Sequence, residues 1–306
     1  MIHEIAPHTF NNTFSNLKPD EKDYALIYSG NSILTLFTEG KPVIPTFKDL
    51  LDCEKDYYEQ IRECAYYLFA IDSSNYFLSA LPEDLNFEMK VFNMYEDAYK
   101  ELALNKRAYK SKTLFFLSIH DFRELDPVLM DYAAATGYHM FSWISKHKFC
   151  GVCGSRMTRE KVQRSLICTK CGRQEFPEIA PTVYAAVIDK DRILLVKNKK
   201  GPDKNHTLVS GYVEIGESFE AAVAREVYEE VGLKVKNIKY YKNQPWGIAS
   251  CQMIGFTCEL DGSDKITLQT SELAEAAWFS RSEVPQRRSR LSVGSEMMSK
   301  FRKGEL

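Results

Sequence analysis

The alternation of apolar and polar positions divides the chain into segments of different character. Tyr24–Ser29 and Ser32–Phe37 are short apolar runs joined at Gly30-Asn31, the signature of a tight hairpin. Tyr66–Ile71 and Tyr76–Leu81, separated by Asp72-Ser73-Ser74-Asn75, predict a second hairpin. A charged stretch through Met94–Ala108 predicts a helix, and Thr113–Ile119 reads as one more strand. Residues 1–125 are therefore expected to form a mixed α/β domain. Its His3, His8 and His120 stand apart and are expected to be surface or ordinary core residues.

A helix is predicted from residue 126, where Asp126 can cap and Pro127 suits the first helical position. Its apolar positions Val128, Leu129, Tyr132 and Ala133 continue towards Trp143 and lead into a cysteine-rich module ending near Phe176. Beyond Pro177 and Pro181, Val183–Ile188 and Ile193–Val196 flank Asp189-Lys190-Asp191, a third hairpin that opens a second α/β domain. The expected organisation is thus 1–125, 126–176 and 177–306. One faint echo hints at duplication: Ala70-Ile71-Asp72 with Tyr76-Phe77-Leu78 resembles Val187-Ile188-Asp189 with Ile193-Leu194-Leu195.

Composition narrows the class. With 306 residues, 44% of them hydrophobic and 27% charged, the chain suits about two folded domains. Forty basic against 42 acidic residues leave a net charge of −2, which excludes the global basic field of a dedicated nucleic-acid binder. The start Met1-Ile2-His3-Glu4 lacks the pattern of a signal peptide, and no apolar stretch reads as a membrane span. A cytoplasmic protein without a membrane partner is expected.

Four of the eight cysteines, Cys53, Cys64, Cys251 and Cys258, are scattered and are expected to be small buried side chains. The others form two C-x-x-C-G knuckles, Cys150/Cys153 and Cys168/Cys171, with 14 residues between them. Two residues within a knuckle let both thiolates face one ion, and the glycine permits the tight turn. Four thiolates leave no open position, so structural Zn²⁺ is predicted, not a catalytic metal. The segment Arg156–Ile167 is long enough for a hairpin between the knuckles. The basic residues Lys146, His147, Lys148, Arg156, Arg159, Lys161 and Arg164 are expected to form a solvated face.

The richest stretch is Gly211–Leu233. Ser218 can cap a helix and Gly232 can end it, while Phe219, Val223, Val227 and Val231 predict a buried stripe. Glu226, Glu229 and Glu230 stand at i, i+3 and i+4, on one face. Three carboxylates on one face repel one another unless a cation sits among them. All-oxygen ligands favour Mg²⁺ or Mn²⁺, ions that bind phosphate oxygens and can activate a water.

The same stretch fits the Nudix box, G-x5-E-x7-R-E-U-x-E-E-x-G-U with U aliphatic, at every defined position. The chain resembles the bacterial NADH pyrophosphatase subfamily of Nudix hydrolases, closely from His147 to Trp246. The fold implied is an α/β/α Nudix sandwich, preceded by a zinc ribbon and a Nudix-like α/β domain without the box. Asn243-Gln244-Pro245-Trp246-Gly247-Ile248-Ala249-Ser250 is similar to the family array S-Q-P-W-P-F-P-x-S, with Asn243, Gly247, Ile248 and Ala249 departing from it. The resemblance implies that Glu226, Glu229, Glu230, the carbonyl of Ser210 and Glu272 ligate Mg²⁺ or Mn²⁺. It makes Glu229, Glu230 and Arg225 the catalytic group, with Glu230 helping to activate water and Arg225 orienting the carboxylates. Phe176 and Tyr212 would hold the nicotinamide ring, with core packing as the alternative; Gln244 and Trp246 would complete the pocket. The implied reaction is hydrolysis of NAD(H) to AMP and nicotinamide mononucleotide, extending to NAD-capped RNA, by a homodimer. The alternatives are an ADP-ribose or nucleotide-sugar pyrophosphatase, and a zinc-ribbon regulator that binds nucleotide without hydrolysing it.

Overall fold

A computed structural model describes residues 1–53, 55–80, 91–92, 113–121, 125, 127, 129–199, 205–286 and 292–306. The helix expected at Met94–Ala108, and the cap expected at Asp126, lie outside them. The chain divides into two compact units. One comprises Ile5–Glu178 with Gly247–Ser250; the other comprises Met1–Glu4, Ile179–Trp246 and Cys251–Leu306. Among the described residues no helix is long and apolar enough to cross a membrane.

In the C-terminal unit, the hairpin Ala180–Asp189/Arg192–Asn198 forms the middle of the sheet. Ala180–Asp189 runs parallel to Cys251–Leu260, which pairs antiparallel with Val235–Trp246; Arg192–Asn198 pairs antiparallel with Leu273–Ser280. The central strands are buried on both faces, and their alternation shows it. Val183, Ala185, Val187, Leu194 and Val196 join the helix Phe219–Val231 in one core. Ala186, Ile193 and Leu195 join the helix Val293–Lys303 through Val293, Met297 and Phe301 in another. Helix, sheet and helix thus form three layers, the α/β/α sandwich.

The larger unit repeats that plan. Tyr24–Ser29 and Ser32–Thr38 form the central hairpin. Tyr24–Ser29 runs parallel to Ser74–Ser79, which pairs antiparallel with Tyr66–Ile71; Ser32–Thr38 pairs antiparallel with Thr113–Ser118. Five strands therefore follow the same order and directions as in the C-terminal unit. Short helices Phe47–Cys53 and Tyr58–Glu63 cover one face through Phe47, Leu50, Tyr58 and Ile61. The helix Leu129–Lys146 covers the other, so closely that a Cβ on Gly137 would stand 2.6 Å from Leu26 and from the Tyr28 hydroxyl. The duplication hinted at in the sequence is real at the level of topology, but the hairpins correspond differently. The counterpart of Ala180–Asn198 is Tyr24–Thr38, not Tyr66–Ser79, because the first strand of each central hairpin carries the parallel neighbour.

Between Lys148 and Glu175 the cysteine module forms a three-stranded sheet, Met157–Arg159, Leu166–Cys168 and Gln174–Glu175. Its basic residues are not all a solvated face. Arg164 donates to the carbonyls of Leu68 (2.5 Å) and Asn12 (3.1 Å). Arg159 donates to the carbonyl of Cys64 and lies 5.1 Å over the Tyr66 ring. These guanidiniums tie the module to the sheet of the larger unit, and charge counting alone could not separate them from free cations. Two scattered cysteines also differ from expectation: Cys251 and Cys258 are buried, but Cys53 is half-buried and Cys64 exposed, because both end short helices at the surface. His8 is not alone either; its Nδ1 meets Asp72 at 2.7 Å.

Candidate active site

The helix Phe219–Val231 begins where Ser218 accepts a hydrogen bond from the Ala221 N–H and ends at Gly232, whose φ of +70° only glycine adopts without strain. Val223, Val227 and Val231 are wholly buried, each stabilising by ~1.5–3 kcal/mol. Phe219, expected in the same stripe, is 42% exposed. Residues four apart drift ~40° round a helix at each step, so three steps carry Phe219 ~120° away from Val231. Ala222 takes its place in the core, and Glu230 enters the buried face as well.

Arg225 organises the glutamates. Its guanidinium grips Glu217 with two bonds (2.9 and 3.0 Å), reaches Glu226 at 2.7 Å and Glu229 at 3.0 Å, and donates to the Tyr212 carbonyl at 2.9 Å. Those acceptors raise the Arg225 pKa above its ordinary value, Glu217 most of all. In return Arg225, aided by the Glu214 N–H, lowers that of Glu217. Glu217 is thus the clamp that orients Arg225. Its fixed place eight residues earlier in the box was the signal for this role, which sequence reasoning did not assign.

Glu226 is held against the backbone of Gly211: a Cβ there would lie 2.0 Å from its carboxyl carbon. Gly211 follows Ser210 in the strand Val209–Tyr212, which pairs with Ala180–Asp189. Burial raises the Glu226 pKa despite Arg225. Burial, with the charges of Glu226 and Glu272, pushes Glu230 up to about 8. Glu230 Oε2 is buried with no hydrogen-bond partner. Glu272 is exposed on a turn that Gln269 fastens by donating to the Glu230 carbonyl at 2.9 Å.

A buried, unpartnered carboxylate oxygen, neighbouring carboxylates that raise its pKa and a glycine cradle are what an oxygen-ligated divalent ion requires. The residues therefore fit the group. Glu226 and Glu229 each also turn an oxygen to Arg225. Among the described residues it is the four cysteines that gather into a tight set of ligand atoms, all within 4.8 Å.

In that set Cys150 Sγ and Cys171 Sγ stand 3.7 Å apart, Cys153 Sγ and Cys168 Sγ 3.5 Å. Four thiolates at ~2.3 Å from one zinc would stand ~3.8 Å apart, so the set fits the ion. The two knuckles are built alike. The N–H of Gly154 bonds to the Cys150 carbonyl and that of Gly172 to the Cys168 carbonyl, with φ of +70° and +71°. N–H groups of Cys171 and Lys170 point at Cys168 Sγ and lower its pKa to about 6, favouring the thiolate.

Phe176 and Tyr212 are 53% and 54% exposed, which removes core packing as their explanation. Gln244 is wholly buried, opposite Met253 in the sheet, and Trp246 packs into the core that holds Met253 and Val293. Gln244 therefore offers no open surface, whereas Trp246 is half-buried. Gly247, a departure from the family array, has a physical reason: a Cβ there would lie 1.9 Å from the Ala135 carbonyl.

The comparisons with known proteins agree with this geometry. A family model described as NADH pyrophosphatase zinc ribbon domain matches residues 145–176, and one described as NUDIX domain matches residues 178–300. Residues 178–300 are a NUDIX domain. Curated relatives similar to this chain include proteins named NAD-capped RNA hydrolase NudC. The one from Shigella boydii serotype 18 is 38% identical over 168 residues, 55% of this chain and 65% of the relative. That from Haemophilus influenzae (strain PittGG) is 41% identical over 147 residues, 47% of this chain and 55% of the relative. The chain thus spans less than two thirds of the length of these relatives. The crystal structure of a NUDIX hydrolase from Nitrosomonas europaea covers 51% of this chain and 91% of its own, at 23% identity and a TM-score of 0.45.

Proposed function

We propose that this NUDIX chain hydrolyses the pyrophosphate bond of NAD(H), releasing AMP and nicotinamide mononucleotide, and acts likewise on the NAD cap of RNA. The observation that carries the reading is one helix bearing Glu226 against Gly211 and Glu230 with a buried, unpartnered oxygen, joined in one chain to a four-cysteine ribbon of the NADH pyrophosphatase type. The name shared by the curated relatives supports the choice of substrate.

Glu226, Glu229, Glu230, Glu272 and the Ser210 carbonyl would hold Mg²⁺ or Mn²⁺, while the four cysteines hold structural zinc. When bound, the divalent ion neutralises charge on the pyrophosphate and acidifies a water. The residues do the rest. Glu230, buried and aimed inward, accepts the proton of the attacking water. Arg225 bridges Glu226 and Glu229 and offsets their mutual repulsion, and Glu217 keeps it in place. Tyr212 offers an exposed ring for the nicotinamide, as Phe176 does in its own unit, and Gln244 and Trp246 have supporting roles. The working form is a cytoplasmic homodimer.

The test is chromatography of NADH, NAD, ADP-ribose and NAD-capped RNA incubated with the protein and Mg²⁺ or Mn²⁺. AMP with reduced nicotinamide mononucleotide is expected from NADH, and its loss in Glu229→Gln. The Gly247–Ala249 departure favours a second reading, and cleavage of ADP-ribose alone would establish it. Binding without cleavage of any substrate would make the chain a nucleotide-binding regulator.

A further inference from the structure

Outside the NUDIX domain, the larger unit contains a cavity of about 520 Å³. It is bounded by the segment 15–19, the helix Tyr58–Glu63, the start of the strand Tyr66–Ile71 and the turn after Met157–Arg159. Its walls are tied together. The Asn16 side chain donates to the Lys161 carbonyl, and Arg159 donates to the Cys64 carbonyl at 3.1 Å. The space is therefore built in, and its size lies within the ~300–1,000 Å³ of ordinary small-molecule sites.

The charges lining it are unequal in availability. Glu59 faces Arg62 at 3.6 Å. Glu160 accepts the N–H groups of Lys161 (2.6 Å) and Val162 (3.4 Å) and so closes its own turn. Among the described residues the ammonium groups of Lys18 and Lys161 have no carboxylate partner, and Arg159 pairs with a carbonyl and a ring only. Against these three cations stands one uncommitted carboxylate, Glu63. Leu17, Pro19 and Tyr66 supply apolar wall. A mixed lining of cations and apolar wall matches a phosphate attached to a flat heterocycle, and an arginine plane stacks readily on such a ring.

The position in the fold is a second, independent pointer. In chain order the helix Tyr58–Glu63 lies between the central hairpin and the strand pair Tyr66–Ile71/Ser74–Ser79. In the C-terminal unit that interval holds the helix with the glutamate set. Where that helix carries Glu226, Glu229 and Glu230, this one carries Glu59, Arg62 and Glu63, with an arginine among the acids. The helix face that carries the glutamates in one unit thus borders the cavity in the other, with cations of the neighbouring segments around it. The geometry points to a second, non-hydrolytic site in the larger unit that binds a nucleoside monophosphate through Lys18, Lys161 and Arg159.

The experiment is equilibrium dialysis of labelled AMP against the full chain and against Lys18→Glu/Lys161→Glu, whose exposed side chains leave the fold intact; equal melting temperatures check this. The expected result is one mole of AMP fewer per mole of chain in the variant, with NADH hydrolysis unchanged within twofold. Equal amounts bound by the two proteins would overturn the inference. So would displacement of that AMP by inorganic phosphate at an equal concentration, since phosphate alone would then be the ligand. The readouts are separable from the proposed reaction: absence of hydrolysis in both proteins with the one-mole difference intact removes the proposed function and leaves this site standing.

Discussion

The two sheets share strand order, directions and flanking helices, yet among the described residues the glutamate set that we propose as a reaction centre lies on one of them alone. What separates them is a single interval. After its central hairpin the C-terminal unit inserts a 13-residue helix, Phe219–Val231, with Arg225 and Glu217 locking its glutamates. The larger unit inserts the helices Phe47–Cys53 and Tyr58–Glu63, of seven and six residues, in which the acids meet lysine or arginine. The fold is thus set by apolar alternation that both sheets possess. The chemistry is set by what one helix presents at its polar face.

The largest expected effect breaks the comparison from the side of the larger unit. Cys150→Ser, or zinc removal by a chelator, should unfold the ribbon, because binding of a structural zinc contributes ~10–16 kcal/mol to small modules of this kind. Hydrogen exchange should show protection lost across 150–172 and kept in the helix Phe219–Val231. Next in size, Glu226→Gln or Glu230→Gln should lower kcat for NADH by ~10²–10⁴-fold, the usual reach of proton-transfer groups. Glu59→Gln and Glu63→Gln, on the counterpart helix, should leave kcat unchanged.

A pair of glycines sharpens the contrast between chemistry and fold. Added Cβ atoms would meet a neighbour at 2.0 Å at Gly211 and 1.9 Å at Gly247. At Gly211 the neighbour is the end of the Glu226 side chain, which can swing aside. Gly211→Ala should therefore cost at least ~10-fold in kcat, about 1.4 kcal/mol, with a nearly unchanged melting temperature. At Gly247 the neighbour is the backbone of Ala135, which cannot move alone. Gly247→Ala should destabilise the larger unit by ~1–3 kcal/mol, as overpacking does, read as a lower urea midpoint.

The smallest effect is electrostatic. Burial would raise the Glu296 pKa, but the Tyr241 hydroxyl (2.7 Å) and the Lys242 ammonium (2.9 Å) outweigh it and hold the carboxyl below 4.5. A depressed carboxylate contributes stability that is present above its unfolded pKa and lost as pH falls through the folded one. Melting temperature should therefore drop below pH 4.5 less steeply in Glu296→Gln than in the wild type.

Much of this was legible in the chain. The hairpin runs, the matched knuckles and the box follow from short-range pattern, and among the described residues the hairpins, the ribbon and the box helix formed close to where they were expected. What was not legible depended on distance in the sequence. The hairpin echo matched Tyr66–Ser79 because similar tripeptides occur there, whereas the true counterpart is fixed by which strand pairs in parallel. Arg164 and Lys161 are alike in composition, and only the fold shows one bonded to the Leu68 carbonyl and the other beside a cavity. Phe219 failed because a spacing of four was read as a straight stripe. Glu217 was visible as a letter of the box, but its grip on Arg225 needs the turn through Gly216 at φ +81°.

The central claim is that the glutamates of the NUDIX unit, and not the acids of its counterpart, hold the divalent ion. Titration of Mn²⁺ into the zinc-loaded protein, followed by electron paramagnetic resonance, reads this without catalysis. Tight Mn²⁺ binding should be present in the wild type and in Glu59→Gln/Glu63→Gln, and absent in Glu226→Gln/Glu230→Gln. Binding that survives in the last variant, or disappears in the Glu59/Glu63 variant, would contradict the account.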